Sequence, residues 1–320
     1  MYANKVSIIV VSYNTREMTI DCLASVFEQT RRIPFELIVW DNASQDQSAD
    51  AIGKRFKRSI KLVASDTNLG FAVANNRAAE LATGDFLLLL NPDTVVLDGA
   101  IDKLVKFASV RPDAGIWGGR TVFPNGTLDP TSCWQRQTLW SLFCQASGLS
   151  SVFRQSTFLN PEGLGGWDRN GTRSVDIVCG CFLLIRRDLW QSLGGFREEF
   201  FMYGEEADLC LRAKKLGVKP EISSAATIIH YGAASDTVRA DKMVRLLRAK
   251  RLLIDFHFSK LTKRMGSQLL FLWPVTRYLV HSILAAFGKT TSRDKCNVWR
   301  DILRRRTDWF ELESKKKVAG

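Results

Sequence analysis

Three carboxylates stand within four residues of one another at Glu205, Glu206 and Asp208. Phe200, Phe201, Met202 and Tyr203 run directly up to them. Burying acids beside such residues is costly unless they have partners or a task. One task is proton acceptance at the floor of a cleft, where partial desolvation tunes basicity. A second reading is local, with the acids opening a helix and complementing its dipole. Asp41 ends an apolar run, where a carboxylate can accept the N3–H of a uracil or thymine ring; cytosine lacks that hydrogen. The same residue type also forms Asx-turns that cap a following helix. Ser12 and Asn14 follow the first apolar run and are placed to help hold a base or ribose. Asn91-Pro92-Asp93 ends another run, and a carboxylate there can hold a divalent cation against a diphosphate. Its plainer reading is a Pro-Asp turn. His230 reads as a metal or phosphate ligand, a proton carrier or a structural residue. Arg186 and Arg187 read either as phosphate binders or as a strand end.

These residues need elements to position them, and the first half of the chain alternates strand and helix signals. Val6–Val11, Phe35–Trp40, Ile60–Val63 and Phe86–Leu90 are continuous apolar runs. Helical spacing follows at Met18–Gln29, Asp46–Phe56, Phe71–Ala82 and Asp98–Ser109. Continuous apolar strands, each followed by a helix, predict an α/β fold with a mostly parallel sheet flanked by helices. Ligands bind such sheets beyond the carboxyl ends of the strands. The polar clusters SYNT, DNAS and NPDT all fall there. Val175–Arg186 reads as one further buried strand, and Ile228–Ser235 as a strand end with His230 at its edge.

Charge separates the chain into two parts. Residues 239–320 hold 20 lysines and arginines against 7 acids, whereas residues 1–238 are almost neutral, with 25 against 26. We therefore expect a main domain over 1–238, with halves near 1–115 and 116–238, and a basic, amphipathic, helical region over 239–320. The excess positive charge predicts an anionic membrane surface as partner through residues 239–317. The alternatives are a helical cap or a homodimer contact through the same helices. Gly266–Gly288 is long enough to span a bilayer, but Pro274 and Arg277 lie near its middle. An arginine there costs about 2.5–3.5 kcal/mol, which favours a helix pair lying in the interface. Nucleic acid is the less favoured partner, although Trp273, Trp299 and Trp309 accompany the basic residues. The seven scattered cysteines read as reduced thiols of a cytosolic protein, without a zinc pattern. MYANKVSIIVVSYN does not read as a secretory leader.

Jointly, VSIIVVSYNT, IVWDNASQDQS, NLGFAVANN, GDFLLLLNPDT, VCGCFLLIRRDLWQSLGGFREEFFMYGEEADLCLR and IIHYGAAS resemble the family 2 glycosyltransferases, specifically their bacterial rhamnosyltransferase-like branch. The resemblance runs from Val6 to about Ser235 and implies a Rossmann-like GT-A fold and inversion at the sugar carbon. By position it implies that Asp41 reads the pyrimidine. Ser12, Asn14, Asn42, Asn68, Gly70, Asn75 and Asn91 would line the nucleotide-sugar side. Asp93 matches the last acid of the family's DxD metal motif, with Asn91 replacing the first, and His230 matches a histidine near the diphosphate. A divalent cofactor, Mg²⁺ or Mn²⁺, is implied. Glu205 and Glu206 match the acceptor-side acids; Glu206 stands where Asp is usual, so the base is Glu206 or Asp208. The implied donor is dTDP-rhamnose or a UDP-hexose, and the implied acceptor a glycan on polyprenyl diphosphate. The implied setting is the cytoplasmic face of the cell membrane. Two rivals are a non-catalytic sugar-nucleotide binder and a nucleotidyltransferase, although VVSYNTREM lacks the glycines of a phosphate loop.

Overall fold

The computed structural model describes residues 5–232 and 239–311. It divides into two compact units, Met1–Arg136 with Trp167–Ser235, and Gln137–Gly166 with Asp236–Gly320. The first unit is built on strands β1 (Val6–Ser12), β2 (Phe35–Asp41), β3 (Lys61–Ala64), β4 (Phe86–Leu90), β5 (Thr94–Val96) and β6 (Ile116–Val122). The short strands β7 (Leu128–Asp129), β8 (Cys133–Trp134), β9 (Thr172–Ser174) and β10 (Ile177–Val178) follow, then β11 (Phe182–Arg186) and β12 (Glu221–His230).

Among the described residues the main sheet runs β3-β2-β1-β4-β11-β6-β12-β5. β1 pairs in parallel with β2 and β4, and β2 with β3. β11 is antiparallel to both β4 and β6, so β6 runs the same way as β4. β12 is parallel to β6, and β5 closes the edge antiparallel to β12. The sheet is thus mixed but mostly co-directional, in agreement with the expected α/β class. Every residue of β1 and β4 is buried, which the continuous apolar runs require of strands covered on both faces. Helices α1 (Arg16–Gln29), α2 (Ser48–Phe56) and α3 (Gly70–Glu80) join the parallel strands, and α4 (Ala100–Val110) leads from β5 to β6. The strand order turns back between β1 and β4, and ligand crevices of open α/β sheets form at such switch points. Ser12 lies beside Asp41 in register, so β1 and β2 end level.

One expected strand is broken. Val175–Arg186 does not run as a unit: β10 pairs with β8 in a separate ladder, and β11 enters the main sheet. Cys179–Gly180–Cys181 makes the turn between them, with the Phe182 amide donating to the Cys179 carbonyl at 3.3 Å.

The second unit is helical. It comprises α5 (Leu139–Ser147) and α6 (Leu149–Val152), then α9 (Arg239–His257), α10 (Lys260–Ala286), α11 (Thr290–Arg304) and α12 (Arg306–Trp309). Between them in the chain, α7 (Arg187–Leu193) and α8 (Glu205–Lys215) belong to the first unit. The expected boundary at residue 238 therefore accounts for one part of the helical unit only, because Gln137–Gly166 joins it. Its core gathers Leu142 of α5 with Leu247, Ile254, Leu270, Ile302 and Trp309.

Gly266–Gly288 falls within α10, a helix of 27 residues that continues through Pro274 and follows α9 in the chain. Arg277 faces inward, its Nη2 donating to the Gln145 carbonyl at 2.7 Å. Thr276 Oγ1 donates to the Ala146 carbonyl at 2.6 Å. Both acceptors belong to the C-terminal turn of α5, where carbonyls lack helical donors and the dipole favours a cation. Along another stripe of α10, Leu261, Met265, Leu272, Leu279 and Ile283 are exposed, as is Phe287 just after it. By length and composition α10 is apolar enough to cross a bilayer.

Candidate active site

Asp41 ends β2 almost fully buried, 2% exposed. Its Oδ2 accepts the Ser44 amide at 3.0 Å in an Asx-turn, while Oδ1 is buried with no hydrogen-bond partner. A buried, unpartnered carboxylate oxygen at a strand end is costly and demands an explanation.

The asparagines around it build the loop rather than project from it. Asn42 Oδ1 accepts the Leu69 amide at 2.9 Å, and its Nδ2 donates to Asn68 Oδ1 at 2.8 Å. Asn68 Oδ1 also accepts the Gly70 amide at 2.9 Å. Asn14, at φ +52°, accepts the Gln45 amide on Oδ1 at 2.7 Å and ties the β1–α1 loop to the β2–α2 loop. Ser12 is fully buried and hydrogen-bonds Thr19 at 2.9 Å, so its hydroxyl faces the interior. Asn75 donates to the Phe71 carbonyl within its own helix at 2.8 Å. The residue that reaches across is its neighbour Asn76, which sequence reasoning missed. Its side chain bonds both the amide and the carbonyl of Phe196 at 2.9 Å.

Gly70 connects the two halves of the site. Its φ is +78°, and a Cβ there would lie 2.5 Å from the Phe201 carbonyl oxygen. The Phe71 amide donates to that same oxygen at 2.7 Å. The loop before α3 is thereby fastened to the loop that precedes α8.

At the end of β4, Asn91 Oδ1 is buried and has no hydrogen-bond partner. Asp93 is 7% exposed, and its Oδ1 lies 3.6 Å from His230 Nε2. His230 ends β12, and its Nδ1 is 3.0 Å from Asp129 Oδ2. Asp129 is held in turn, its Oδ1 accepting the Thr131 amide at 3.0 Å and the Thr131 hydroxyl at 2.7 Å. Burial would raise the Asp129 carboxyl, but the bonds from His230 and Thr131 hold it below its usual range. Asp129 was not singled out in the sequence. Arg186 and Arg187 lie elsewhere: Arg186 pairs with Phe86 at the opposite end of β4, so they mark a strand end.

The acidic trio opens α8, after Tyr203 and Gly204 at φ +70° and +86°. Glu205 and Glu206 are 3% and 7% exposed, and each has an Oε2 that is buried without a partner. Burial pushes the Glu206 carboxyl from 4.5 to about 7, against opposing backbone N–H groups at the start of α8. Burial, and then the neighbouring Glu206 charge, push Glu205 well above its ordinary value. Glu206 Cβ lies 3.7 Å from where a Cβ would stand on Gly180. The next residue, Cys181, accepts the Asn91 amide at 3.1 Å, so the acids and the Asn91–Asp93 turn meet at the same strand ends. Asp208 is different. It is fully buried between Arg212 at 2.7 Å and Arg197 at 3.2 Å, an arrangement that locks α8 in place.

Among the described residues no group of three or more His, Cys, Asp and Glu side chains forms a ready metal cage. Asp93, His230 and the orphaned Asn91 oxygen still suit a hard cation that takes its other ligands from phosphate and water.

Comparison with known proteins agrees with this architecture. The chain is 30% identical over 240 residues, 72% of its length, to the O-antigen biosynthesis protein RfbC of Myxococcus xanthus, of which it spans 18%. It is 28% identical over 249 residues to the N-acetylglucosaminyl-diphospho-decaprenol L-rhamnosyltransferase of Mycobacterium tuberculosis, covering 71% of this chain and 76% of that protein. Its fold matches a mannosyltransferase of Pyrobaculum calidifontis, solved with GDP-Man and Mn²⁺, with a TM-score of 0.60 at 16% identity. That match covers 98% of this chain and 89% of the mannosyltransferase. Residues 7–193 match the family model of glycosyl transferase family 2, and the chain belongs to that family.

Proposed function

We propose that this glycosyltransferase moves a sugar from a pyrimidine nucleotide, dTDP-rhamnose or a UDP-hexose, onto a glycan carried by a polyprenyl diphosphate, with inversion at C1. The observation that carries the reading is the pair of orphaned carboxylate oxygens, Asp41 Oδ1 at the end of β2 and Glu206 Oε2 in the first turn of α8. Asp41 Oδ1 accepts the pyrimidine N3–H. Glu206 Oε2 accepts the proton of the acceptor hydroxyl as that oxygen forms its bond to C1. The C1–O bond to the diphosphate breaks, and the nucleoside diphosphate leaves with the electron pair. Asp93 and His230, with Asn91 Oδ1, would hold a divalent cation, Mg²⁺ or Mn²⁺; when bound it supplies positive charge against the leaving diphosphate. Asp208, already engaged by two arginines, serves the fold rather than the proton transfer.

The lipid-linked acceptor fits a peripheral position on the inner face of the cell membrane, through residues 239–317. The exposed stripe of α10 and the inward-facing Arg277 support a helix lying in the interface.

A thermal-shift panel tests the donor side, because a specific ligand raises apparent stability by mass action. dTDP- and UDP-sugars with Mn²⁺ should raise the midpoint more than CDP- and GDP-sugars do. Transfer of sugar to a polyprenyl-diphosphate glycan then separates an enzyme from a sugar-nucleotide sensor. Binding without transfer to any lipid-linked acceptor, or no pyrimidine preference, would refute the assignment.

A further inference from the structure

Gln137–Gly166 interrupts the first unit and folds with the C-terminal helices, yet it carries only one basic residue, Arg154, and one acidic residue, Glu162. It exposes an unusual set of side chains. Trp140, Phe143 and Phe158 form a cluster with ring centroids 5.5 and 4.8 Å apart. They nonetheless remain 38%, 43% and 66% exposed. At the end of α6, Val152 is 74% and Phe153 48% exposed, with Arg154 next in the chain. Elsewhere in the molecule Trp117 and Trp309 are fully buried, so large aromatics do find cores here when cores are available.

Two further observations point to one kind of partner. Of the 19 large apolar side chains exposed among the described residues, 12 belong to the helical unit, including the α10 stripe. That unit also holds 21 basic against 9 acidic residues, which is the whole excess charge of the chain. Apolar side chains exposed on a basic body fit an anionic lipid surface, where lysines and arginines meet headgroups while rings and aliphatic chains enter the acyl boundary. Tryptophan suits that depth, since its ring is apolar and its N–H polar. Here Trp140 Nε1 already donates to the Phe158 carbonyl at 2.7 Å, leaving the cluster without an unmet donor to carry into lipid.

We propose that Gln137–Gly166 is a second bilayer contact, an interfacial wedge formed by Val152–Phe153 and the Trp140–Phe143–Phe158 cluster, which docks on anionic lipid. It extends the membrane reading beyond residues 239–317 and rests on that reading.

The test uses the full chain and vesicles of phosphatidylglycerol and phosphatidylcholine in equal parts. Val152→Asp with Phe153→Asp should weaken vesicle binding about tenfold or more, with the thermal midpoint and nucleotide binding unchanged. Val110→Asp, at an exposed valine of the first unit, is the control and should bind as wild type does. A nitroxide on Val152→Cys should report a position below the headgroups; the seven native thiols are buried or half-buried and leave that site the accessible one. Undiminished binding of the double variant, or a label that stays in water, overturns the wedge. A solution dimer that the double variant dissolves would also overturn it, because the patch would then be covered by a second copy. Leu279→Asp with Ile283→Asp tests the parent reading separately. If wild type and both double variants bind vesicles equally poorly, the membrane assignment itself falls; if only the α10 variant loses binding, the wedge alone falls.

Discussion

Replacing Glu206 by glutamine should cost activity and increase stability, and the two effects should separate by pH. General base catalysis contributes about 10²–10⁴ in rate, so Glu206→Gln should lower kcat by that factor, or ~3–5 kcal/mol of barrier. The wild-type carboxyl is lifted from 4.5 to about 7, chiefly by burial. A base works only when deprotonated, so wild-type kcat should rise with pH through about 7 and level off above it. The stability effect has the opposite sense. Between pH 4.5 and about 7 the folded protein binds the proton more tightly than the unfolded chain. Stability is therefore favoured at the acid end and lost as pH rises through the folded value. The ionised side chain then costs at most about 3 kcal/mol, from 1.36 kcal/mol for each pH unit of displacement. Glutamine removes that cost, so the variant should melt higher than wild type at pH 8 and at the same temperature near pH 5. Turnover over pH 5–9 with calorimetry on both proteins makes the comparison. Near-normal turnover in the variant would remove Glu206 from the chemistry. Equal stability differences at pH 5 and pH 8 would show that its carboxylate is not held under desolvation.

Asp41→Asn keeps an oxygen for the Ser44 amide but can turn an N–H toward the base. Affinity for uridine and thymidine diphosphates should fall about 10–100-fold, narrowing the gap to cytidine diphosphate in calorimetric titration. Asp129→Asn should weaken Mn²⁺ binding in the presence of nucleotide about 10–100-fold, read by electron paramagnetic resonance of free Mn²⁺, because the His230 ring loses the carboxylate that sets its tautomer. Asp208→Asn leaves Arg197 and Arg212 without their shared charge. It should cost about 3 kcal/mol or more of stability in urea unfolding, while the folded fraction keeps its kcat within a few-fold.

The features legible in the sequence were those written in continuous segments. β1, β2 and β4 stand out because both faces are buried, and Asp41 and Asp93 because they end such runs. Features that depend on chain-distant pairing were not legible. Asp129 sits in a two-residue strand beside a Pro-Thr turn, and nothing local says that it meets His230, 101 residues away. The Val175–Arg186 run concealed a change of sheet, since Cys179 and Gly180 are as compatible with a buried strand as with a turn until β8 captures Ile177 and Val178. Gln137–Gly166 was expected to belong to the 116–238 half of the main domain. Its capping box at Thr138 and Ser141 is a short hydroxyl pair without the usual Glu or Gln, and its partner helices lie more than 100 residues downstream. Arg277 was weighed as a membrane penalty because sequence gives its depth along α10 but not the carbonyls of α5 that receive it.

For Asp41 and Glu206 the structural reading is compatible with the proposed functional one. Asp41 forms the Asx-turn with one oxygen, and the other is buried with no hydrogen-bond partner among the described residues. Glu206 opens α8, and the backbone N–H groups there oppose the burial that would otherwise push its carboxyl further up. A carboxyl buried as deeply without those groups would stay protonated at neutral pH and accept nothing. A carboxylate with only those groups, out in solvent, would be too weak a base. The helix terminus therefore opposes the rise that burial imposes on Glu206. The left-handed turn at Tyr203 and Gly204 leads into that terminus, and Glu206 Cβ stands 3.7 Å from where a Cβ on Gly180 would lie.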